Sequence, residues 1–526
     1  MTDRTSDSPL PENQPLSRRV GRWLGPLVFG FILLFVDLKP GNPEVTRMAA
    51  VAALMAIWWI TEAIPLAATA LLPLILYPLL GIMTGKATAP IYVNHVIFLF
   101  VGGFMIALAM EKWNLHKRVA LWIIRVIGGG PSRMVLSFMI ATAFLSMWIS
   151  NTATSIMMLA IALAIISEQE RVFGAQRTHK LSIALLLGIA YSASVGGLAT
   201  LVGTPPNLSF SRIFEITFPD APPIEFGQWM TLGLPISCVM LFVVWLLLTQ
   251  VFYRSPSDLR LSSEAVEREY ESLGPMKFAE WAVLAVFVMT ALLWVFRKDL
   301  NVGIVTIPGW GQLLPFQGMV DDGTIAIAMA MTLFLVPSRH TGGDGPSDAT
   351  VLTVDVFKKL PWHIVLLFGG GFAMAKGFQG TGLSTLIGQA FQGLEGTPHL
   401  VMIATICGSL TFLTELTSNT ATTEMVLPIL ASIGVATNTN PLLLMVPATL
   451  SASCAFMMPV ATPPNAIVFG SGKLRIVEMV KIGLVLNLIG VVVITLMFYL
   501  LGTVLFGIDP SSMPDWANHV AAPAEH

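Results

Sequence analysis

The sequence predicts an all-α polytopic membrane protein: an inverted repeat with about 11 transmembrane helices, two re-entrant helical hairpins and two broken helices. Three observations predict this fold: the composition, the recurrence of long apolar segments, and a set of motifs that occurs twice. Of the 526 residues, 55% are hydrophobic and 11% charged, whereas soluble domains carry about 25% charged residues. The net charge of −2 gives no indication of a nucleic-acid partner. The high apolar fraction and the low charged fraction indicate that the protein lies in a lipid bilayer.

Apolar segments that approach the roughly 20 residues needed to cross a bilayer recur along the whole chain. Two further apolar segments carry Ser, Asn and Thr in the middle, which favours re-entrant hairpins, at 131–167 and 398–434. Two of the spans are too long for one helix and contain Pro-Pro, which predicts broken helices at 181–216 and 441–470. The remaining expected spans are 23–38, 45–62, 65–82, 94–110, 228–252, 278–296, 323–337, 361–378 and 478–506.

The distribution of Lys and Arg predicts the orientation of the chain. Arg18, Arg19 and Arg22 precede the first span, whereas the connections 219–227 and 379–399 contain no Lys or Arg. The pattern indicates a cytosolic N-terminus. The Lys and Arg residues after each hairpin fall on the cytosolic side only if both hairpins return to the side from which they enter the membrane. The exceptions are Lys39, Arg47, Lys86, Arg297 and Lys298.

The same motifs occur in both halves of the chain. Ser-Asn-Thr-Ala-Thr begins at Ser150 and again at Ser418, and the Thr-Pro-Pro-Asn at 204–207 recurs at 462–465. An odd number of expected spans separates the two Ser-Asn-Thr motifs, so the second half is inverted relative to the first. Interrupted helices at corresponding positions of two halves mark the binding site in inverted-repeat membrane proteins.

The residue types in these motifs suit an anion together with an alkali cation. We expect the Ser, Asn and Thr side chains to cap the backbone N–H groups at each hairpin tip, where the helix start attracts anions. Unwound backbone at Thr204 and Thr462 would add carbonyl oxygens, which are the ligands of hard cations. Because neither motif contains Lys, Arg or His, we expect bound Na⁺ to offset the anion's charge, with no organic cofactor.

Two acids beside the second tripeptide and two groups of glycines earlier in each half also need an interpretation. Glu415 and Glu424 flank the second tripeptide, and we interpret them as buried polar contacts or side chains turned to water, with a proton relay as the alternative. The glycines at 102–103 and 369–371 favour close helix packing.

The two tripeptides and the two Thr-Pro-Pro-Asn segments resemble the divalent anion:sodium symporter family, whose members carry dicarboxylates, citrate or sulfate. The resemblance runs from about residue 23 to 506. It implies a sodium-coupled symporter of di- or tricarboxylates such as succinate, malate, fumarate or citrate. It further implies a homodimer that works as an elevator, and the expected location is a bacterial inner membrane.

Other interpretations stay open. A sodium-independent dicarboxylate exchanger or a sulfate transporter would share the fold. A channel would need a continuous polar pore, and the spans offer no charged ring. An intramembrane enzyme would need a nucleophile–base pair or a metal cluster, for which His and Cys are too few and too scattered. We therefore predict that the protein is not an enzyme.

The resemblance also assigns site residues. It implies that one sodium site uses Ser146, Ser150, Asn151 and Gly203, and that the other uses Thr414, Thr417, Asn419 and Ala461. Thr417 faces Ile149 in the alignment of the two halves, so any role of Thr417 is expected through its carbonyl. The expected substrate contacts are Ser150, Asn151, Thr152, Thr204, Ser418, Asn419, Thr420, Thr462 and Pro463.

The resulting domain organisation alternates between a stationary scaffold and a moving transport domain. We expect scaffold helices at 23–121 and 278–378 and transport-domain elements at 122–252 and 379–506. The connecting segments are a disordered cytosolic tail (1–22), a solvated cytosolic linker (253–277) and a C-terminal tail (507–526).

Overall fold

The computed structural model describes residues 16–255, 264–301, 306–316, 318–339, 349–510 and 512–518. Most of the expected N-terminal tail and the last residues of the chain therefore lie outside the described residues. The prediction of a tail is wrong for residues 16–22, because the first helix already begins at Leu16. Arg18 pairs with Glu62 at 2.8 Å, which fixes the start of this helix to the end of the next.

The first half is a series of helices in the predicted order. The span expected at 65–82 is a shorter apolar helical stretch, Leu66–Leu80, and it is interrupted between two short helices, where Pro73 in the first turn of the second lacks an N–H to donate. The helices up to the first hairpin are α1 (Leu16–Phe35), α2 (Pro43–Thr61), α3 (Leu66–Thr69), α4 (Leu72–Leu80), α5 (Gly85–Thr88), a 3₁₀ turn (Ala89–Tyr92), α6 (His95–Lys112) and α7 (Leu115–Ile127). Then follow α8 (Pro131–Ser146), α9 (Asn151–Phe173), α10 (Ala175–Gly197), α11 (Pro205–Thr217) and α12 (Phe226–Leu246), which a π-helical turn (Leu247–Phe252) extends.

The second half repeats this order. Before the second hairpin stand α13 (Glu264–Ser272), α14 (Phe278–Val295), the antiparallel pair β1 (Leu300–Asn301) and β2 (Thr306–Ile307), a 3₁₀ turn (Trp310–Leu313), α15 (Asp322–Leu335), α16 (Val356–Lys359), α17 (Trp362–Thr381), α18 (Leu383–Ala390) and a 3₁₀ turn (Gln392–Leu394). After them come α19 (His399–Leu413), α20 (Asn419–Ala436), α21 (Leu442–Ala452), α22 (Pro463–Phe469), α23 (Ile476–Met497), a π-helical turn (Phe498–Gly502), α24 (Thr503–Leu505) and α25 (Asp515–Asn518).

Both hairpins and both broken helices are present. The first arms of the hairpins, α8 and α19, have 16 and 15 residues, which at about 1.5 Å per residue is too short for a hydrocarbon core of about 30 Å. The breaks lie between α10 and α11 and between α21 and α22. Pro205 and Pro463 occupy the first position of the second helix, where a missing N–H removes no helical hydrogen bond.

Among the described residues, seven helices are long and apolar enough to span a membrane, and the stretch Leu66–Leu80 and the helices α8, α15, α19 and α21 are shorter and apolar. The glycine motifs pack closely, as predicted. A Cβ on Gly102 would lie 2.6 Å from Ala326 of α15, and one on Gly370 would lie 2.6 Å from Ala70. These distances are too short for any side chain at the two positions.

Helix α7 was not predicted as a separate element. It joins α6 to the first hairpin, and its basic residues pair with α14 and with the preceding segment, which was predicted to be a solvated linker. Arg118 pairs with Glu280 at 2.6 Å, and both side chains are buried. Lys117 pairs with Glu269 of α13 at 2.7 Å, and residues 256–263 lie outside the described residues. The described part of the linker therefore contains a helix that docks on α7 with one face, while Glu264, Arg268 and Glu271 on its other face are exposed.

Candidate functional site

The first hairpin turns between Ser146, the last residue of α8, and Asn151, the first residue of α9. The Ser146 hydroxyl is within hydrogen-bond distance of the Asn151 amide oxygen and lies 2.7 Å from the carbonyl oxygen of Ala193 on α10. Ser146 is fully buried, whereas Asn151 is half-buried. The hairpin tip is thus joined to the helix that breaks just beyond Ala193.

The second hairpin has the same arrangement. The Thr414 hydroxyl lies 2.6 Å from the Asn419 amide oxygen and 2.9 Å from the carbonyl oxygen of Ala452, the last residue of α21. A hydroxyl carries only one hydrogen, so it can donate to only one of its two acceptors at a time. At each tip, a hydroxyl oxygen, an amide oxygen and a carbonyl oxygen therefore lie together with only one hydrogen among them. The lone pairs that are left over could coordinate a cation.

The prediction that the tripeptide side chains cap their helices is wrong. Ser150 and Ser418 occupy the N-cap positions of α9 and α20, yet neither forms a side-chain capping hydrogen bond. Both residues are half-buried. The first N–H groups of the two helices are consequently not used by these caps, and they stay available for an anion.

Each break is closed by the Asn of its Thr-Pro-Pro-Asn motif. The Nδ2 of Asn207 donates to the carbonyl oxygens of Gly197 and Thr200 at 3.1 and 2.7 Å. The Nδ2 of Asn465 donates to those of Ala455 and Met458, both at 3.1 Å. Both asparagines are fully buried, and their Oδ1 atoms have no hydrogen-bond partner in the described part of the chain.

The first break comes close to its tripeptide at Gly197. A Cβ on Gly197 would lie 3.2 Å from the Nδ2 of Asn151 and 3.0 Å from the carbonyl oxygen of Gly203. In the other direction, a Cβ on Gly203 would lie 2.6 Å from the carbonyl oxygen of Gly197. The structure thus brings together Ser146, Asn151 and Gly203, three of the residues expected at the first sodium site.

The unwound backbone of the second break is bound by a carboxylate, Glu415, whereas Met147 stands at the corresponding position of the first half. Glu415 is buried, and its carboxylate accepts hydrogen bonds from the backbone N–H groups of Phe456, Met457 and Met458 at 2.7–2.9 Å. The Nδ2 of Asn487 on α23 donates a fourth, at 2.8 Å. Glu415 is thus a buried polar contact, as interpreted from the sequence.

The other expected site residues lie at the same four helix ends. Thr204 and Thr462 are the N-caps of α11 and α22 and are both buried, but only Thr462 accepts a capping hydrogen bond, from the N–H of Asn465. The Thr417 hydroxyl donates to the carbonyl of Leu413 and lies 2.6 Å from the hydroxyl of Thr422, and the expected role of Thr417 through its carbonyl stays a prediction. Thr152 is half-buried, Thr420 and Ala461 are buried, and Pro463 is exposed.

The two halves are cross-packed around this region. Helix α9 of the first hairpin packs on α22 of the second broken helix, and α20 of the second hairpin packs on α11 of the first. Glu170 of α9 pairs with Lys473 at 2.7 Å, and the ring of Tyr191 meets that of Phe456 at 5.3 Å. The hairpins and breaks of both halves thus form one contiguous body.

The sequence analysis did not identify some of the groups that bond the hairpin tips and the breaks. The carbonyls of Ala193 and Ala452 are invisible to residue-type reasoning, because any residue supplies a carbonyl. Asn207 and Asn465 were visible as part of the repeated motif but were assigned no role. Their signal was that a side chain able to donate two hydrogen bonds stands at the same place after both Pro-Pro pairs.

Inverted halves, interrupted helices and oxygen-rich helix ends define a polytopic secondary transporter. The chain belongs to the sodium:sulfate symporter family, because residues 19–508 match the model described as "Sodium:sulfate symporter transmembrane region". The family assignment made from the two tripeptides is confirmed.

Curated relatives cover nearly the whole chain. The sodium-dependent dicarboxylate transporter SdcS of Staphylococcus saprophyticus is 43% identical over 495 residues, which is 93% of this chain and 92% of the relative. SdcS of Staphylococcus aureus (strain bovine RF122) is 42% identical over 497 residues, with the same coverage of both chains.

Two solved structures share the fold at low sequence identity. Neisseria gonorrhoeae MtrF superposes with a TM-score of 0.53 at 13% identity and covers 90% of this chain and 98% of its own. The Alcanivorax borkumensis YdaH transporter gives 0.52 at 14% identity and covers 88% and 99%. The all-helical membrane-transporter architecture predicted from the sequence is confirmed.

Proposed function

We propose that this protein is a sodium-coupled symporter of dicarboxylate anions such as succinate, malate or fumarate, with citrate as a tricarboxylate candidate. The observation that carries the proposal is the pair of tips in which three oxygens share one hydrogen, formed by Ser146, Asn151 and Ala193 and by Thr414, Asn419 and Ala452. Such clusters are ready-made for a hard alkali cation. The relatives, which are named sodium-dependent dicarboxylate transporters, support the same function.

Anion binding is assigned to the tripeptides. The starts of α9 and α20 have no side-chain cap from Ser150 or Ser418, so their N–H groups and partial positive charge are free for carboxylate oxygens. Each helix start contributes only about half an elementary charge. Sodium ions at the oxygen clusters would supply the remaining positive charge, and this is the proposed basis of coupling.

The further residues are assigned by the same logic. The carbonyls of Gly203, Thr417 and Ala461 complete the two sodium sites with Ser150, and Thr152, Thr204, Thr420, Thr462 and Pro463 line the substrate. A sodium-independent exchanger would need a fixed cation in place of sodium, and neither tripeptide segment contains Lys, Arg or His. Sulfate is the second candidate substrate, because the family description names it.

Transport is proposed to occur by an elevator motion in a homodimer. The cross-packed body of hairpins and broken helices, 122–252 and 379–506, would move past a scaffold formed by 23–121 and 278–378. The Glu170–Lys473 ion pair and the contacts of α9 with α22 and of α20 with α11 support movement as one body. The positive-inside pattern supports a cytosolic N-terminus, and the bacterial relatives support a bacterial inner membrane.

Uptake of labelled succinate into proteoliposomes tests the function. We expect accumulation with an inward sodium gradient and no accumulation when choline replaces sodium. Equal uptake in choline would reject symport, and exchange against internal succinate would then be the function to test. Unlabelled sulfate in excess should leave succinate uptake unchanged, whereas strong competition by sulfate and none by malate would assign sulfate as the substrate.

A further inference from the structure

Glu424 is a carboxyl group for which the proposed transport cycle has no role. It lies on α20, and its side chain is completely buried. The Ser209 hydroxyl of α11 donates a hydrogen bond to its Oε1. Its Oε2 has no hydrogen-bond partner among the described residues. Glu424 therefore differs from Glu415, whose carboxylate accepts four N–H groups.

The free oxygen of Glu424 rests against bare backbone. A Cβ on Gly371 of α17 would lie 1.6 Å from Oε2, so only glycine at this position leaves room for the acid. Helix α20 belongs to the proposed moving body and α17 to the proposed scaffold. The carboxyl group is thus enclosed at the surface where these two bodies touch.

No charge of opposite sign reaches this acid. Of the helices packed on α20, α18 and α21 carry no Asp, Glu, Lys, Arg or His. The charged or titratable residues of the other three are Glu44 and Arg47 on α2, Arg212 and Glu215 on α11, and His363 and Lys376 on α17. Within the described part of the chain none of them pairs with Glu424, and Arg212 pairs instead with Glu215 at 2.9 Å.

The inverted repeat does not require an acid here. The residue that corresponds to Glu424 in the first half is Ile156, which is 56% exposed. A buried carboxylate without a cation beside it is strongly unfavourable, whereas a protonated carboxyl group carries no charge and is much less costly to bury. The neutral acid is therefore the form that fits this enclosure.

We propose that Glu424 is a proton-binding site that is occupied while α20 rests on α17 and exchanges its proton with water when the two helices separate. The step breaks the carboxyl O–H bond and transfers the proton to water, with no change of oxidation state. Because the docked state binds the additional proton, lower pH favours the docked state and higher pH favours the separated one. The exchange step depends on the proposed domain motion, whereas the protonated acid does not.

Infrared spectroscopy of the purified full chain tests occupancy without any transport assay. At neutral pH we expect the carbonyl stretching band of a protonated carboxylic acid, and we expect Glu424→Gln to lose it. Ser209→Ala should shift this band, because it removes the one hydrogen bond that the described residues make to the group, and it provides the test if the Gln variant does not fold. The matched control, Glu415→Gln, should keep the band. A Glu424→Gln spectrum identical to wild type, or an unshifted band in Ser209→Ala, would overturn the proposal.

Exchange is tested with a pH-sensitive dye in weakly buffered detergent solution. Adding sodium together with succinate should produce a measurable change in bound protons in wild type, of up to one per chain, and no change in Glu424→Gln. An equal proton change in both proteins would overturn the coupling to Glu424. If wild type shows the infrared band but no sodium-dependent uptake, the proposed function fails while the proton site stands. If sodium-dependent uptake is found but the infrared band is absent, the proton site fails while the proposed function stands.

Discussion

Asn207 and Asn465 occupy the same position in the two halves, and each closes the break of its own helix with two hydrogen bonds from one amide nitrogen. The acceptors, at 197 and 200 and at 455 and 458, stand at the same spacing before each Asn. These bonds keep carbonyl groups paired where the helical ladder is interrupted. The two asparagines therefore set the path of the unwound backbone next to both proposed sodium sites.

The first prediction concerns these asparagines. Asn207→Asp retains the side-chain shape but removes both N–H donors, and leaving buried carbonyls unpaired costs about 1–3 kcal/mol. We expect a several-fold higher sodium concentration for half-maximal succinate uptake, and the same from Asn465→Asp. Gln228→Glu is the control, because the Gln228 amide bonds the carbonyl of Leu505, away from both breaks. Wild-type sodium dependence in both Asp variants would contradict the prediction.

The second prediction concerns the tripeptides. Asn151→Ala and Asn419→Ala each remove the amide oxygen that completes a tip cluster. We expect succinate uptake in proteoliposomes to fall to the level of empty vesicles, with normal expression and an unchanged elution volume in gel filtration. Thr332→Ala removes an exposed hydroxyl that bonds only its own helix, and it should transport normally. Normal uptake by Asn151→Ala would remove Asn151 from the site.

The third prediction concerns the buried ion pair between Arg118 and Glu280, which fixes α7 to α14. Glu280→Gln leaves the guanidinium without its counter-charge, and breaking such a pair costs about 3–5 kcal/mol. We expect a clearly lower unfolding temperature in detergent, measured by tryptophan fluorescence. The double variant Arg118→Met/Glu280→Leu should recover much of the loss.

The exposed pair of Arg18 and Glu62 is the control for this measurement. Its side chains are 45% and 49% exposed, so the pair contributes about 0–1 kcal/mol and Glu62→Gln should leave the unfolding temperature almost unchanged. Equal effects of Glu280→Gln and Glu62→Gln would show that burial does not set the strength of the Arg118 pair.

The sequence predicts those parts of the fold that depend on residues close together in the chain. The hairpins and breaks follow from polar residues and Pro-Pro inside apolar segments, and the inversion follows from the order of the spans. Helix α7 was missed because its basic residues were interpreted only as markers of the cytosolic side. Their ion pairs with α13 and α14 join segments more than a hundred residues apart, and no local pattern reports them.

The residues assigned to the candidate site stay a prediction from the sequence, whereas their hydrogen bonding in the structure was not predicted. Residue preferences at helix starts favoured capping by the tripeptide side chains, yet Ser150 and Ser418 leave the helix N–H groups uncapped, and Asn151 and Asn419 contact hydroxyl groups instead. Tertiary contacts with the broken helices decide this arrangement. Likewise, only folding brings Glu424 against Gly371, which is why two acids near the same tripeptide have such different surroundings.

The last prediction concerns motion, and it uses two polar side-chain pairs of the structure. Glu170 and Lys473 join the two halves within the proposed moving body, whereas His95 of α6 and Glu215 of α11, 3.3 Å apart, join the scaffold to that body. Each pair is replaced by two cysteines in a background with Cys238→Ser, because Cys238 is the exposed native thiol and Cys407 and Cys454 are buried. A short bifunctional thiol reagent then bridges the distance that the pair spanned.

If the hairpins and broken helices move as one body, linking 170 to 473 leaves the distance between them constant through the cycle, and sodium-dependent succinate uptake should continue. Linking 95 to 215 should hold the body against the scaffold and stop uptake, and cleavage of a reducible reagent should restore it. The unlinked cysteine variants report the effect of the substitutions alone. Uptake that stops on linking 170 to 473 but continues on linking 95 to 215 would mean that the site opens by local rearrangement of the hairpins, because only relative movement within the body is then needed for transport.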